Sequence, residues 1–151
     1  GCAANIMDLY ILAKDGDSGL QEASNQLKSD LDEELLRKKM ITDHVCIRDG
    51  VVINVDVSID VAIDKFYRKF ELEFREKISS RINQFFSINN WEYNKDLKDT
   101  DLIKALADVK EVSSFEITFT TEDEDNSGTR VTTKFNEIIR PDDVTLSFVY
   151  T

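Results

Sequence analysis

The amino-acid sequence predicts an α+β fold, and two adjacent segments carry most of that prediction. Between Val51 and Val61, β-branched residues occupy every second position and polar residues fill most of the others. This is the pattern of a strand with one buried and one solvated face. The next segment, Asp64–Phe86, carries apolar residues at every fourth position, which indicates an amphipathic helix. Asp64 is its predicted N-cap, because a carboxylate there can accept a hydrogen bond from the first turn.

Length and charge limit the classes of protein to be considered. The chain has 151 residues and a formal net charge of −11, so we expect one domain over residues 1–151. It begins with Gly1 instead of Met, which suggests a fragment of a longer chain. No apolar run approaches the ~20 residues that a membrane span requires. The acidity opposes binding to nucleic acid or anionic lipid, so proteins are the predicted partners.

The first half of the chain is predicted to form two strands and a helix before the long strand. In order, these are a strand over Ile6–Ala13, a turn over Lys14–Gly19, a helix from Leu20 to near Lys38, and a strand over His44–Arg48. The dipeptide Asp49-Gly50 is a turn signal and predicts a hairpin into the long strand. A loop with Gly50 in the left-handed region would pair Ile47 with Val51 and keep apolar residues on one face.

The second half is predicted to add a short helix, two strands and an acidic loop. These elements are a helix containing Leu102 to Val109 and capped by Asp99 or Thr100, a strand over Ser113–Thr120, a loop over Thr121–Arg130, and a strand over Val144–Tyr150. The complete order is strand, helix, hairpin, long helix, short helix, strand, loop and strand. This order matches a ferredoxin-like split β-α-β arrangement with an additional C-terminal strand.

The candidate metal ligands are too few for a convincing site. His44 and Cys46 lie two residues apart on one predicted strand, which would place both side chains on the same face. Zinc usually needs four ligands, or three and a water molecule, and the chain has no second histidine. No motif of a known catalytic or cofactor-binding site occurs. We therefore predict no metal, no cofactor and no enzymatic activity.

Two other classes of function are alternatives. In a split β-α-β sheet, Asp15 or Asp17 would lie near Asp49, which is the carboxylate arrangement of a metal-dependent, palm-like nucleotidyl-transfer domain. Turns also select acidic residues, so this signal is weak. The second alternative is a small regulatory, ligand-binding ferredoxin-like domain, which rests on analogy of fold alone.

Several stretches, taken in order and spacing, resemble the C-terminal part of a known family. They are Ala4–Asp15, Ile41–Val45, Val51–Val61, Leu97–Val109, Val112–Ile117 and the closing strand Asp143–Tyr150. The family is the baseplate J-like family, the baseplate wedge proteins of contractile-tailed phages and related injection systems. The chain departs from it at Lys110-Glu111, where the family commonly has glycine. The resemblance implies a structural role, without catalytic residues, in the virion tail baseplate and in the host cytoplasm during assembly.

The closing strand is the predicted surface for contacts with further copies of the chain and with other wedge subunits. It is apolar on one side and carries no charge beyond Asp143, and an unprotected edge strand can pair with another chain. A free-standing protein usually blocks such a strand with lysine or a bulge. The exposed side of the first helix is the alternative surface. The residues predicted to form the self-association or partner edge are Val144, Leu146, Phe148 and Tyr150.

Overall fold

The protein has an α+β structure, as the sequence predicts. The computed structural model describes residues 5–16, 19–38 and 43–151. The chain divides into two compact units, Gly1–Val52 and Ile53–Thr151, a division that the sequence analysis does not predict. Among the helices of the described residues, none combines the length and the apolar character needed to cross a membrane.

The first unit contains a β-α-β arrangement. Its elements are β1 (Asn5–Ile11), β2 (Ala13–Asp15), β3 (Gly19–Gln21), α1 (Asn25–Lys38) and β4 (Asp43–Asp49). Strands β1 and β4 pair in parallel, with Leu9 opposite Ile47, and α1 lies in the connection that such a pairing requires. The predicted helix start at Leu20 is wrong, because Leu20 pairs with Lys14 in the short antiparallel hairpin of β2 and β3.

The second unit is built on a three-stranded sheet with helices. Its elements are β5 (Val51–Ile63, of which the part from Ile53 belongs to this unit), a 3₁₀ helix (Lys65–Phe70), α2 (Glu71–Phe85), a 3₁₀ helix (Ile88–Asn90), β6 (Leu97–Lys98), α3 (Asp99–Ala105), β7 (Val112–Thr120), a 3₁₀ helix (Glu124–Asn126), β8 (Arg130–Val131) and β9 (Glu137–Tyr150). Strand β5 is central, between β7 and β9. The short strands β6 and β8 form a separate antiparallel pair.

The alternation predicted for β5 is confirmed from Val55 onward, whereas Val51 at its start is 44% exposed. Its apolar positions Val55, Val57, Ile59, Val61 and Ile63 are buried, while the polar residues between Asn54 and Asp60 are exposed. Strand β7 pairs with β5 in the antiparallel sense and adds the buried side chains of Ile117 and Phe119. Ile78 and Ile82 of α2 are buried as well, so the long strand and the α-helical part of the long segment contribute apolar residues to the core, as predicted.

The predicted hairpin between β4 and β5 is wrong. In the described part of the chain, β4 pairs with β1, and both sides of β5 are occupied by β7 and β9. Gly50 is also not left-handed, since Gly16 and Gly128 are the described glycines with positive φ. Its N–H donates to the carbonyl of Ile11 at 3.0 Å. The ferredoxin-like arrangement depends on that hairpin and is therefore not confirmed.

The long helical segment differs from the prediction in its first turns. Asp64 does act as a cap, because its carboxylate accepts a hydrogen bond from the N–H of Phe66 at 2.8 Å. The turns that follow are 3₁₀, and the α-helix begins at Glu71. A 3₁₀ helix has 3.0 residues per turn, so residues four apart leave the common face. Accordingly Phe66 is 65% exposed, whereas Phe86 is buried.

The connection around β6 and β8 is held by the carboxylate of Asp96. It accepts hydrogen bonds from Arg130 Nη2 at 2.8 Å and from the N–H of Thr133 at 3.0 Å. These bonds, chiefly that of Arg130, lower the pKa of Asp96 from its ordinary value of 3.8. The ionised form is therefore the one that stabilises the folded protein.

We expect the Asp96→Asn substitution to lower the free energy of unfolding at pH 7 by about 1 kcal/mol, because an ion pair is replaced by weaker hydrogen bonds. The native pKa lies below the unfolded one, so this contribution is complete above pH 3.8 and disappears as the pH falls through the native value. Urea unfolding from pH 7 to pH 2 measures both effects. A wild-type advantage that persists unchanged at pH 2 would contradict this assignment, and Glu92→Gln, which changes an exposed acid, is the control.

Candidate interaction edge

Strand β9 lies at one edge of the sheet of the second unit. Within the described residues its sheet neighbour is β5. The N–H of Thr151 donates to the carbonyl of Ile63 at 3.0 Å, and the carbonyl of Thr151 accepts from the N–H of Lys65 at 3.2 Å. One residue bonded to two partners that lie two positions apart is the pattern of parallel strands. The C-terminal part of β9 is therefore parallel to β5.

This pairing determines which backbone groups of β9 point away from the sheet. In a parallel strand, the N–H and C=O groups of alternate residues point to opposite sides. Since the N–H and C=O groups of Thr151 point toward β5, the backbone polar groups of the odd-numbered residues before it also point toward β5. The four predicted edge residues, Val144, Leu146, Phe148 and Tyr150, therefore direct their backbone polar groups outward.

The strand is longer than the sequence predicts. It begins at Glu137, seven positions before Val144, and Pro141 lies inside the strand. Proline has no N–H to donate, and in sheets it is found mainly in edge strands.

Arg75 of α2 covers part of this edge. Its Nη1 donates to the carbonyl of Leu146 at 3.2 Å, and its guanidinium lies 5.0 Å from the ring centre of Phe148. Glu71, one turn earlier, holds Nη2 at 3.5 Å. The strand itself carries no charge beyond Asp143, and the cation at this edge comes from the helix. No signal within the strand could have revealed it.

A second arginine lies at the C-terminal end of the edge. The guanidinium of Arg68 is 5.2 Å from the ring centre of Tyr150, and the Tyr150 ring stacks on that of Phe148 with a centroid distance of 6.5 Å. Burial of the hydroxyl and the nearby charge of Glu71 raise the pKa of Tyr150. The tyrosine is therefore neutral at physiological pH, and this end of the edge is net positive because two arginines outweigh the single carboxylate of Glu71.

The opposite end of the edge segment is acidic. The carboxylates of Asp56, Asp142 and Asp143 lie within 4.8 Å of one another and are exposed. The N–H of Asp143 donates to Oδ1 of Asp56 at 3.1 Å. The sequence analysis did not single out these residues, because Asp56 and Asp143 become neighbours only through the pairing of β5 with β9. The edge thus runs from a negative end to a positive end.

A cleft of about 160 Å³ opens beside the edge, between α2 and β9. Its lining residues are Arg75, Ser79, Ile82, Asn83, Val144 and Leu146. Val144 is 39% exposed, and Leu146 is half-buried. Apolar side chains therefore remain accessible next to outward-pointing backbone groups, which is the combination that a binding strand uses.

The other candidate residues from the sequence do not form a site in the described residues. Asp49 is held in an ion pair with Lys28, whose Nζ lies 2.8 Å from Oδ1. Asp15 pairs with Gly19 in the β2–β3 hairpin, and Asp17 lies outside the described residues. Cys46 is a free, half-buried thiol. Cys2 and the side chain of His44 lie outside the described part of the structure, so the zinc hypothesis is not tested.

Comparison with known proteins does not identify the chain: no protein-family model and no curated protein matches it. The resemblance to baseplate wedge proteins therefore stays a prediction.

We expect Arg75→Met to lower the free energy of unfolding by about 1 kcal/mol, because it removes a charged hydrogen bond and a cation–π contact while keeping the aliphatic stem. The control is Lys77→Met on the same helix, where the side chain is exposed. That change should stay within about 0.5 kcal/mol of wild type. Thermal and urea unfolding of the three proteins test this, and equal losses in both variants would show that Arg75 does not hold β9.

Proposed function

We propose that this chain is a structural assembly module of a phage tail baseplate wedge, acting through protein–protein contacts and not as an enzyme. Its partners in this proposal are further copies of the chain and other wedge subunits. Its place of action is the virion tail baseplate, reached by assembly in the host cytoplasm. The attribution to a baseplate rests on the resemblance of the sequence segments, and the mode of action rests on β9.

The observation that supports the proposal best is the outward row of backbone groups on β9. A sheet edge offers hydrogen bonds in a fixed spacing, and an added strand gains affinity from the main chain and specificity from side-chain pockets. Strand β9 has both features. The backbone N–H and C=O groups of its even-numbered residues from Val144 to Tyr150 point away from the sheet, and the cleft beside Leu146 is open. The surface is therefore suited to accept another strand.

The charge of the protein favours the same class of function. A net charge of −11 disfavours the phosphate contacts on which nucleic-acid binding depends. It also disfavours adsorption to anionic lipid, so neither nucleic acid nor membrane is a partner in this proposal. Between like copies the charge is repulsive, so association should become stronger when salt screens it.

The alternatives receive less support. A palm-like enzyme would use Asp49 as a metal ligand, yet its carboxylate is ion-paired with Lys28. The regulatory-domain alternative was derived from the ferredoxin-like arrangement, which requires a β4–β5 hairpin that the strand pairing replaces.

Sedimentation equilibrium of the full chain tests the proposal. The wild-type mass should rise with concentration, and more steeply at high salt. Val144→Pro should weaken association at least tenfold, because it removes an outward N–H without breaking a bond inside the sheet. Val144→Ala keeps that N–H and is the matched control.

Circular dichroism and the thermal midpoint must show that both variants fold. A wild-type protein that remains monomeric at every concentration and salt would contradict self-association through this edge. Equal association of Val144→Pro and Val144→Ala would show that the contact lies elsewhere on the surface.

A further inference from the structure

We propose that β9 pairs with β9 of a second copy of this chain, antiparallel and centred on Leu146. This inference rests on the proposed function and adds to it the partner and the register. Leu146 then lies opposite its counterpart, and Val144 lies opposite Phe148 of the other copy. Asp142 lies opposite Tyr150 of the other copy. The two three-stranded sheets become one continuous sheet across a two-fold axis.

The backbone supports this register. In an antiparallel ladder, residues that exchange both hydrogen bonds alternate with residues that exchange none. Leu146 and its neighbours two positions away are the residues whose N–H and C=O groups point outward. Centring the pair on Leu146 therefore brings outward groups opposite outward groups at every bonded position. A register shifted by one residue would place them opposite groups already used in the bonds to β5.

The charges favour antiparallel pairing of identical copies. One end of the edge carries Asp142 and Asp143, and the other carries Arg68 beside Tyr150. A two-fold axis at Leu146 brings the negative end of each copy against the positive end of the other, so each contact occurs twice. This local attraction acts against the overall repulsion between two acidic chains.

Arg75 adapts to the partner by exchanging one hydrogen bond. In the single chain it donates to the carbonyl of Leu146. In the pair, that carbonyl accepts from the N–H of Leu146 of the second copy, and Arg75 keeps its position over Phe148. Because Phe148 lies opposite Val144 of the other copy, the guanidinium then lies close to that copy's acidic end. Arg75, which covers the edge in the single chain, therefore contacts the second copy in the dimer.

The cleft beside β9 accommodates the apolar side chains that this register brings in. Side chains of directly opposite residues in antiparallel strands lie on the same face, with Cβ atoms roughly 4.5–5.5 Å apart. Leu146 and Phe148 of the second copy therefore approach the cleft that Ile82, Val144 and Leu146 line in the first. The contact buries apolar surface as well as forming hydrogen bonds.

A charge exchange between two exposed residues tests the register. Asp142→Lys should weaken the homodimer, because its lysine faces Arg68 of the other copy, although the chain becomes less acidic. Arg68→Glu should weaken it too, because its glutamate faces Asp142. Mixed together, the two variants restore opposite charges at both ends. Their heterodimer should be about tenfold tighter than either homodimer.

Native mass spectrometry of the mixture counts both homodimers and the heterodimer directly, since the variants differ in mass. The control replaces Arg68→Glu by Lys104→Glu on α3, which packs against the opposite edge strand β7. It changes the net charge in the same direction without facing Asp142. A preference for the heterodimer in the first mixture and a random distribution in the control supports the register.

Three results would overturn the inference in different ways. If Val144→Pro weakens association but the Asp142→Lys and Arg68→Glu mixture shows no preference, β9 binds another segment or uses another register, and the proposed function stands. If the wild-type chain is monomeric under all conditions, pairing with a second copy is excluded and self-association fails with it. Asp142→Lys strengthening the homodimer would also exclude the register, because only overall repulsion would then control association.

Discussion

The central position of β5 is the constraint on which the second unit depends. Its backbone is bonded on both sides, to β7 and to β9, and its apolar face is buried from Val55 to Ile63. A strand with both neighbours in place cannot accept a third, so every other strand of the unit lies at an edge or in a separate pair. The exposed polar face follows from the same alternation. Because β5 already has a neighbour on each side, the outward backbone groups of β9 are the ones available to bond a further strand.

Periodic patterns allowed the individual elements to be predicted, but not their pairing. The alternation in β5 and the apolar spacing in α2 are local properties, and each of these elements lies close to its predicted position. Asp49-Gly50 is a local turn signal too, yet the chain continues from β4 into β5 in another sheet. Strand β4 bonds instead to β1, and β5 bonds to β7 and β9. A short window of sequence contains no pattern that indicates such long-range pairing.

The candidate site was predictable in part for the same reason. The apolar, nearly uncharged strand from Val144 to Tyr150 was recognised as an edge from its own residues. Arg75 and Arg68 belong to helical turns some 70 residues or more earlier, as the separation of 71 between Arg75 and Leu146 illustrates. The meeting of Asp56 with Asp143 likewise needs the parallel register of β5 and β9. Charged residues of other elements therefore determine the electrostatic character of the edge, and the sequence of the strand alone does not reveal them.

The parallel pairing of β9 with β5 also imposes an order on folding. The residues that meet are separated by about 87 positions, as the contact between Asp56 and Asp143 shows. At a synthesis rate of roughly 5–20 residues per second, β9 is synthesised on the order of 4–17 s after β5. During that interval one side of a long, β-branched strand is unpaired, a state in which strands from different nascent chains can associate wrongly. Closure of the sheet is consequently the late event in folding.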